Sequence, residues 1–222
     1  MKIARLASLM LAAILAVSLA VSSVASAAPL IGPVGATLTG TSGTGILTAA
    51  NETVTCAKDT STGTITSSTL IGGIRVHFLE CTAKNAAGAT CPVMSIGAPL
   101  SNLLLTNVLH GVLGLILPKP AGSGSDIALV LLPVSGSSFL NILGTCFTNI
   151  SVSGQIAGLV EPVNISSTTG RLVFGVTGGV QNITDVDLST GGLIKPKLSV
   201  GTELGTEETT EEITFSAPVE VM

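Results

Sequence analysis

Apolar and polar residues alternate with a period of two along much of this chain, the spacing of a strand with one buried face. In Ile74-Arg75-Val76-His77-Phe78-Leu79, the residues Ile74, Val76 and Phe78 share one face, and Arg75, His77 and Leu79 the other. The same alternation runs through Ala36 to Thr41, Thr53 to Cys56, Thr62 to Thr66, Ile150 to Val160 and Arg171 to Val176. At the end of the chain, Ile213, Phe215, Ala217, Val219 and Val221 line up on one face, and Pro218 marks that strand as an edge or a bulge.

Leu100 to Leu132 departs from this pattern. Gly111-Val112-Leu113-Gly114-Leu115-Ile116 and Ile127-Ala128-Leu129-Val130-Leu131-Leu132 are apolar on both faces, and the Pro/Gly/Ser-rich stretch from Pro118 to Ser125 separates them. They predict a long central hairpin, with glycines where backbones approach closely. Asn102, Asn107, His110 and the Pro118-Lys119-Pro120 stop argue against a membrane helix over Leu100 to Leu117, and a short amphipathic helix over Leu103 to Leu109 is the other reading of that end. On the order of ten to twelve strands with short turns predict an all-β, two-sheet β-sandwich or jelly roll. No fixed period supports a solenoid.

Composition narrows this further. Charged residues make up 10% of the chain and hydrophobic ones 46%, which is not the balance of a disordered protein. Five Phe with no Trp or Tyr cannot supply the aromatic girdles of an outer-membrane barrel. Lys2 and Arg5, an apolar run from Leu6 to Val21, and Ala25 and Ala27 at the −3 and −1 sites read as a secretory signal peptide over residues 1–27. Residues 28–222 then form a single exported domain, with no further apolar stretch that spans a membrane. The formal net charge of −4 grows more negative when Lys2 and Arg5 leave, the reverse of the basic footprint of a nucleic-acid binder.

Cys56, Cys81, Cys91 and Cys146 are an even number of cysteines in a chain that reads as exported, and they predict two disulfides. The stretch Phe78 to Met94 reads as a hairpin, and the nine residues between Cys81 and Cys91 suit a clip across its mouth. That leaves Cys56 with Cys146, a long loop whose closure would stabilise by about 4 to 5 kcal/mol. A zinc site would want closer CxxC-type spacing and a reducing compartment.

Candidate chemistry is sparse. The chain has no Gly-x-Ser-x-Gly elbow, no HExxH helix and no phosphate-binding loop, and nothing asks for a cofactor. His110 falls in an apolar strand, and His77 beside Arg75 and Glu80 reads as a solvated face. Asp185 and Asp187 form a DxD pair, which supplies too few oxygens for calcium by itself. Glu207, Glu208, Glu211 and Glu212 read as a solvated acidic loop that keeps the last strand soluble. Asn51, Asn149, Asn164 and Asn182 match the N-glycosylation pattern.

The order Val54-Thr55-Cys56, Phe78-x-x-Cys81, Cys91-Pro92-Val93 and Ile213-Thr214-Phe215-Ser216 resembles small exported bacterial all-β proteins loosely grouped with the alkane-oxidation activator family. The resemblance spans most of residues 28–222. It implies an exported β protein and carries over no catalytic residue. The sequence thus points to a secreted, disulfide-stabilised, non-enzymatic structural or interaction protein in contact with the cell surface or matrix. The alternative is an extracellular binding module that takes an apolar ligand or lipid along Leu100 to Leu132.

Overall fold

The computed structural model describes residues 28–49, 52–98, 101–118, 125–146 and 149–222. The signal-peptide reading concerns residues 1–27 and lies outside them, as does the Asn51 acceptor. Among the described residues there are strands and no helix.

The first third of the chain forms β1 (Ile31–Gly32), β2 (Thr37–Ser42), β3 (Gly45–Ala49), β4 (Glu52–Cys56), β5 (Lys58–Ser67), β6 (Leu70–Leu79), β7 (Thr82–Lys84) and β8 (Thr90–Ser95). The apolar centre supplies β9 (Leu103–Leu105), β10 (Leu109–Ile116) and β11 (Ile127–Pro133). Then come β12 (Ser138–Gly144), β13 (Ile150–Gly154), β14 (Ile156–Glu161) and β15 (Ser167–Phe174). Five short pieces follow: β16 (Val176–Thr177), β17 (Val180–Gln181), β18 (Val186–Leu188), β19 (Leu193–Ile194) and β20 (Leu198–Val200). The chain ends in the long β21 (Glu203–Val221).

The sandwich expectation is corrected by the pairing. β2, β5, β6, β10, β11, β14, β15 and β21 pair in that order, and β21 then pairs back to β2. This is a closed eight-stranded barrel with further strands outside it, not two stacked sheets. The wall continues beyond one end, where β3, β4, β7, β8, β12, β13, β20 and the start of β21 close a second circuit. β21 belongs to both. Residues Gly205 to Glu208 pair with β3, and from Thr209 the strand pairs with β15 and then with β2. Closure removes the open edges that a sandwich leaves.

The alternation sorts residues as the sequence implied. On β2 and β5, Thr37, Thr39, Thr41, Thr60 and Thr62 face out while Leu38, Asp59, Ser61 and Ile65 are buried. A polar outer wall around an apolar lumen is the reverse of a barrel whose outer band faces lipid. The hairpin apolar on both faces is present as β10 and β11, paired from Leu109↔Pro133 to Leu115↔Ile127. Leu109, Leu113, Leu129 and Leu131 join the barrel core. On the opposite face, Ile116, Ala128 and Val130 pack with Ala157, Ile183 and Val186 as a second apolar layer. The segment that carries β16 to β19 therefore covers the outside of this hairpin. Gly114 meets β18 so closely that a Cβ there would lie 2.7 Å from the Asp187 carbonyl oxygen. Leu103 to Leu109 holds no helix, because Leu103–Leu105 pairs with the end of β6.

The cysteines pair differently from the expectation: Cys56 is bonded to Cys81, and Cys91 to Cys146. Register gives the reason. β4 and β7 pair as Thr53↔Lys84, Val54↔Ala83 and Thr55↔Thr82, so the next positions in that ladder are Cys56 and Cys81. β8 and β12 pair as Ser95↔Ile142, Met94↔Leu143 and Val93↔Gly144, which continues to Cys91 and Cys146. The Phe78–Met94 hairpin does form, but its register sets Cys91 opposite Ala83, leaving Cys81 offset along the strand. The bonded partners have Cα atoms 4.0 Å and 5.9 Å apart. Each disulfide ties adjacent strands of the second circuit.

Candidate functional site

The titratable groups that the fold gathers lie inside the barrel, where β21 changes partners. Glu207, Thr209 and Glu211 alternate on the inner face of β21, while Glu208, Thr210 and Glu212 are exposed. The acidic stretch is thus no solvated loop. It is a strand whose period sends Glu207 and Glu211 inward and Glu208 and Glu212 to water. Asp59, at the start of β5, also points in and is 4% exposed, against 8% for Glu211.

Small residues on the neighbouring strands make room for these carboxylates. Ser42 pairs across β2 with Asp59 on one side and with Glu211 on the other. The Ser42 hydroxyl donates to Asp59 Oδ2, and the Ser61 hydroxyl donates to Glu211 Oε1. A Cβ at Gly40 would collide with the Glu211 carboxylate and the Ser61 hydroxyl, so β2 needs glycine there for Glu211 to lie across it. On the outer side, Gln181 accepts from the Glu207 amide at 3.1 Å and donates to the Glu207 carbonyl, which fixes β21 at this point.

Asp59, Glu207, Thr209 and Glu211 line a cavity of about 70 Å³ whose remaining walls are apolar apart from Thr106, and include Phe78, Leu104, Phe139 and Phe174. No Lys, Arg or His lines it among the described residues. Burial, followed by repulsion from Asp59 and Glu211, pushes the Glu207 carboxyl from an ordinary 4.5 to about 7. Burial likewise raises Glu211 to about 7, with the Ser61 hydrogen bond pulling down against it and Asp59 adding repulsion. Asp59 is raised by burial, partly offset by the Ser42 hydroxyl. Two buried oxygens facing this space, Asp59 Oδ1 and Thr209 Oγ1, have no hydrogen-bond partner within the protein.

Such a cavity admits a few waters or protons, not a sugar or a lipid. No group of three or more His, Cys, Asp or Glu has the geometry to hold a metal among the described residues. Larger hollows lie elsewhere: about 590 Å³ beside Pro162, Ile165 and Arg171, and about 360 Å³ beside Gln181, Asp185 and Lys197.

The other sequence candidates are dispersed. His77 is exposed on β6, and His110 is half-buried on β10. Asp185 accepts from the Thr184 hydroxyl and lies 3.4 Å from Lys195, while Asp187 faces out on β18. Asn149, Asn164 and Asn182 are exposed. No helix of the described residues is long and apolar enough to cross a membrane. Asp59 is the group that sequence reading missed. Its one signal was being a lone carboxylate at an inward position of Lys58-Asp59-Thr60-Ser61, legible only once the inner face is known. Comparison with protein-family models, with curated proteins and with solved structures returns no match to this chain.

Proposed function

We propose that this chain is an exported, disulfide-stabilised, non-enzymatic protein that serves a structural or interaction role in the cell envelope or extracellular matrix. The observation that carries the reading is the filled lumen. The cavity inside the barrel is about 70 Å³, against the roughly 300–1,000 Å³ of small-molecule sites, which leaves recognition to the outer surface, with its hollows beside Arg171 and Lys197 and its Thr-rich strands. Two disulfides are consistent with an oxidising compartment. The absence of an activated nucleophile or histidine dyad in the sequence supports a non-enzymatic role.

The apolar-ligand alternative loses its main support, because both faces of β10 and β11 are already covered by the chain itself. Fractionation of the native host, with detection on non-reducing gels, tests the reading. The processed, fully oxidised chain should appear outside the cytoplasm, and a full-length reduced chain in the cytosol would refute it. Incubating the purified protein with a dansylated fatty acid should produce no saturable fluorescence change. A stoichiometric one would favour the ligand alternative.

A further inference from the structure

We propose that Asp59, Glu207 and Glu211 form a proton-operated lock at the junction of the two strand circuits. With protons shared among them the barrel is closed there, and with all three ionised their repulsion loosens and hydrates the junction. This inference is independent of the role proposed above.

The placement carries the argument. Three carboxylates from β5 and β21 share one small, largely apolar cavity, and no cationic side chain among the described residues lines it. The neighbouring donors, Ser42 and Ser61, are neutral hydroxyls that cannot cancel negative charge. Asp59 Oδ1 and Thr209 Oγ1 remain unpartnered, and a carboxylic acid proton supplies the donor that Asp59 Oδ1 lacks. Around the cluster, β6, β12, β14 and β20 contribute Phe78, Phe139, Ile156 and Leu198, none of which carries charge. Arg171 on β15 lines the adjoining cavity beside Glu211, but its guanidinium is bonded to Glu161. Arg75 and His77 on β6 face solvent, and Lys58 pairs with Glu80 on the surface.

The junction is where such repulsion would act. β21 passes there from one circuit to the other and holds both together, with Glu207 on one side of the change and Glu211 on the other.

The sign follows from proton counting. Glu207 and Glu211, raised from 4.5 to about 7 in the folded barrel, bind more protons there than in the unfolded chain across that interval. Stability is therefore full below about pH 4.5, falls as pH rises towards 7, and levels off above it. Each group contributes up to roughly 300-fold in the folding equilibrium.

The test is calorimetry on the oxidised full domain from pH 5 to 8 at fixed ionic strength, comparing wild type with Glu207→Gln/Glu211→Gln. Glutamine mimics the protonated acid, so the variant should lose most of the slope and melt above wild type at pH 8. Wild type should lose on the order of 10–20 °C across the same interval. Subtracting the two profiles removes the groups outside the cluster, so the difference reads Glu207 and Glu211 together with the coupled response of Asp59. A flat or rising wild-type profile, or an unchanged slope in the variant, overturns the lock. If the variant does not fold, side-chain ¹³C carboxyl titration of wild type decides. Two glutamates with midpoints near 7 support the lock, and carboxyls that all titrate below 5 overturn it.

Discussion

Replacing Cys91 and Cys146 together by serine removes one of the two disulfides and separates the pairing seen in the structure from the one suggested by spacing. The bond closes a loop with a sequence separation of 55, for which the chain-entropy relation gives about 4 kcal/mol of stabilisation. The Cys56–Cys81 bond, with a separation of 25, is worth about 3.5 kcal/mol on the same relation. In a domain of this size, 4 kcal/mol corresponds to a drop in melting temperature of roughly 8–16 °C. Urea unfolding followed by circular dichroism measures the loss, read from the midpoint at an unchanged m-value. Thiol titration under denaturing, non-reducing conditions reads the pairing. The double variant should show no free thiol, since Cys56 and Cys81 remain bonded to each other. Two free thiols would mean that Cys56 and Cys81 are not bonded to each other, and would refute the register argument. An unchanged urea midpoint would refute the stabilisation.

Other perturbations follow from the same geometry. Gly40→Ala forces a methyl against the Glu211 carboxylate and the Ser61 hydroxyl, and should cost about 1–3 kcal/mol in urea unfolding; a neutral result would show that Glu211 does not lie across β2. Leu113→Ala truncates a side chain only 1% exposed inside the barrel and should cost about 2–5 kcal/mol by the same measurement. Gly154→Ala places a Cβ on the Lys197 carbonyl at a φ of 103° and should destabilise by more than about 1 kcal/mol, whereas an exposed swap such as Glu208→Gln should stay within about 0.5 kcal/mol.

Much of the local structure was legible in the sequence. The alternation through Ile74, Val76 and Phe78 placed a strand and its buried face, and the terminal run from Ile213 to Val221 did the same. The run through Gly111 to Leu132 announced strands buried on both faces, which β10 and β11 are. Pro218 falls where β21 slips its register against β15, between the pairs Thr169↔Thr214 and Ser167↔Val219. The candidate site was half legible. Glu207 and Glu211 were visible as acidic residues, but a charge run reads as solvated until its strand is known to have an inner face.

Short-range pattern therefore determined strand content, the sorting of faces and the location of the apolar centre. A period of two describes the individual strand and is the same in a sandwich and in a barrel. Whether the last strand pairs with an early one is a contact between β21 and β2, far apart in the chain, and only tertiary pairing decides it. Register belongs to the same class of information. It brought Cys56 to Cys81 and Cys91 to Cys146, where spacing alone had favoured the nearest neighbours. Closure also turned alternate glutamates of one strand and a lone aspartate of another into an inward-facing cluster, with Asp59 and Glu211 buried and Glu207 half-buried, because a wall that curves back on itself points its inner side chains at one another.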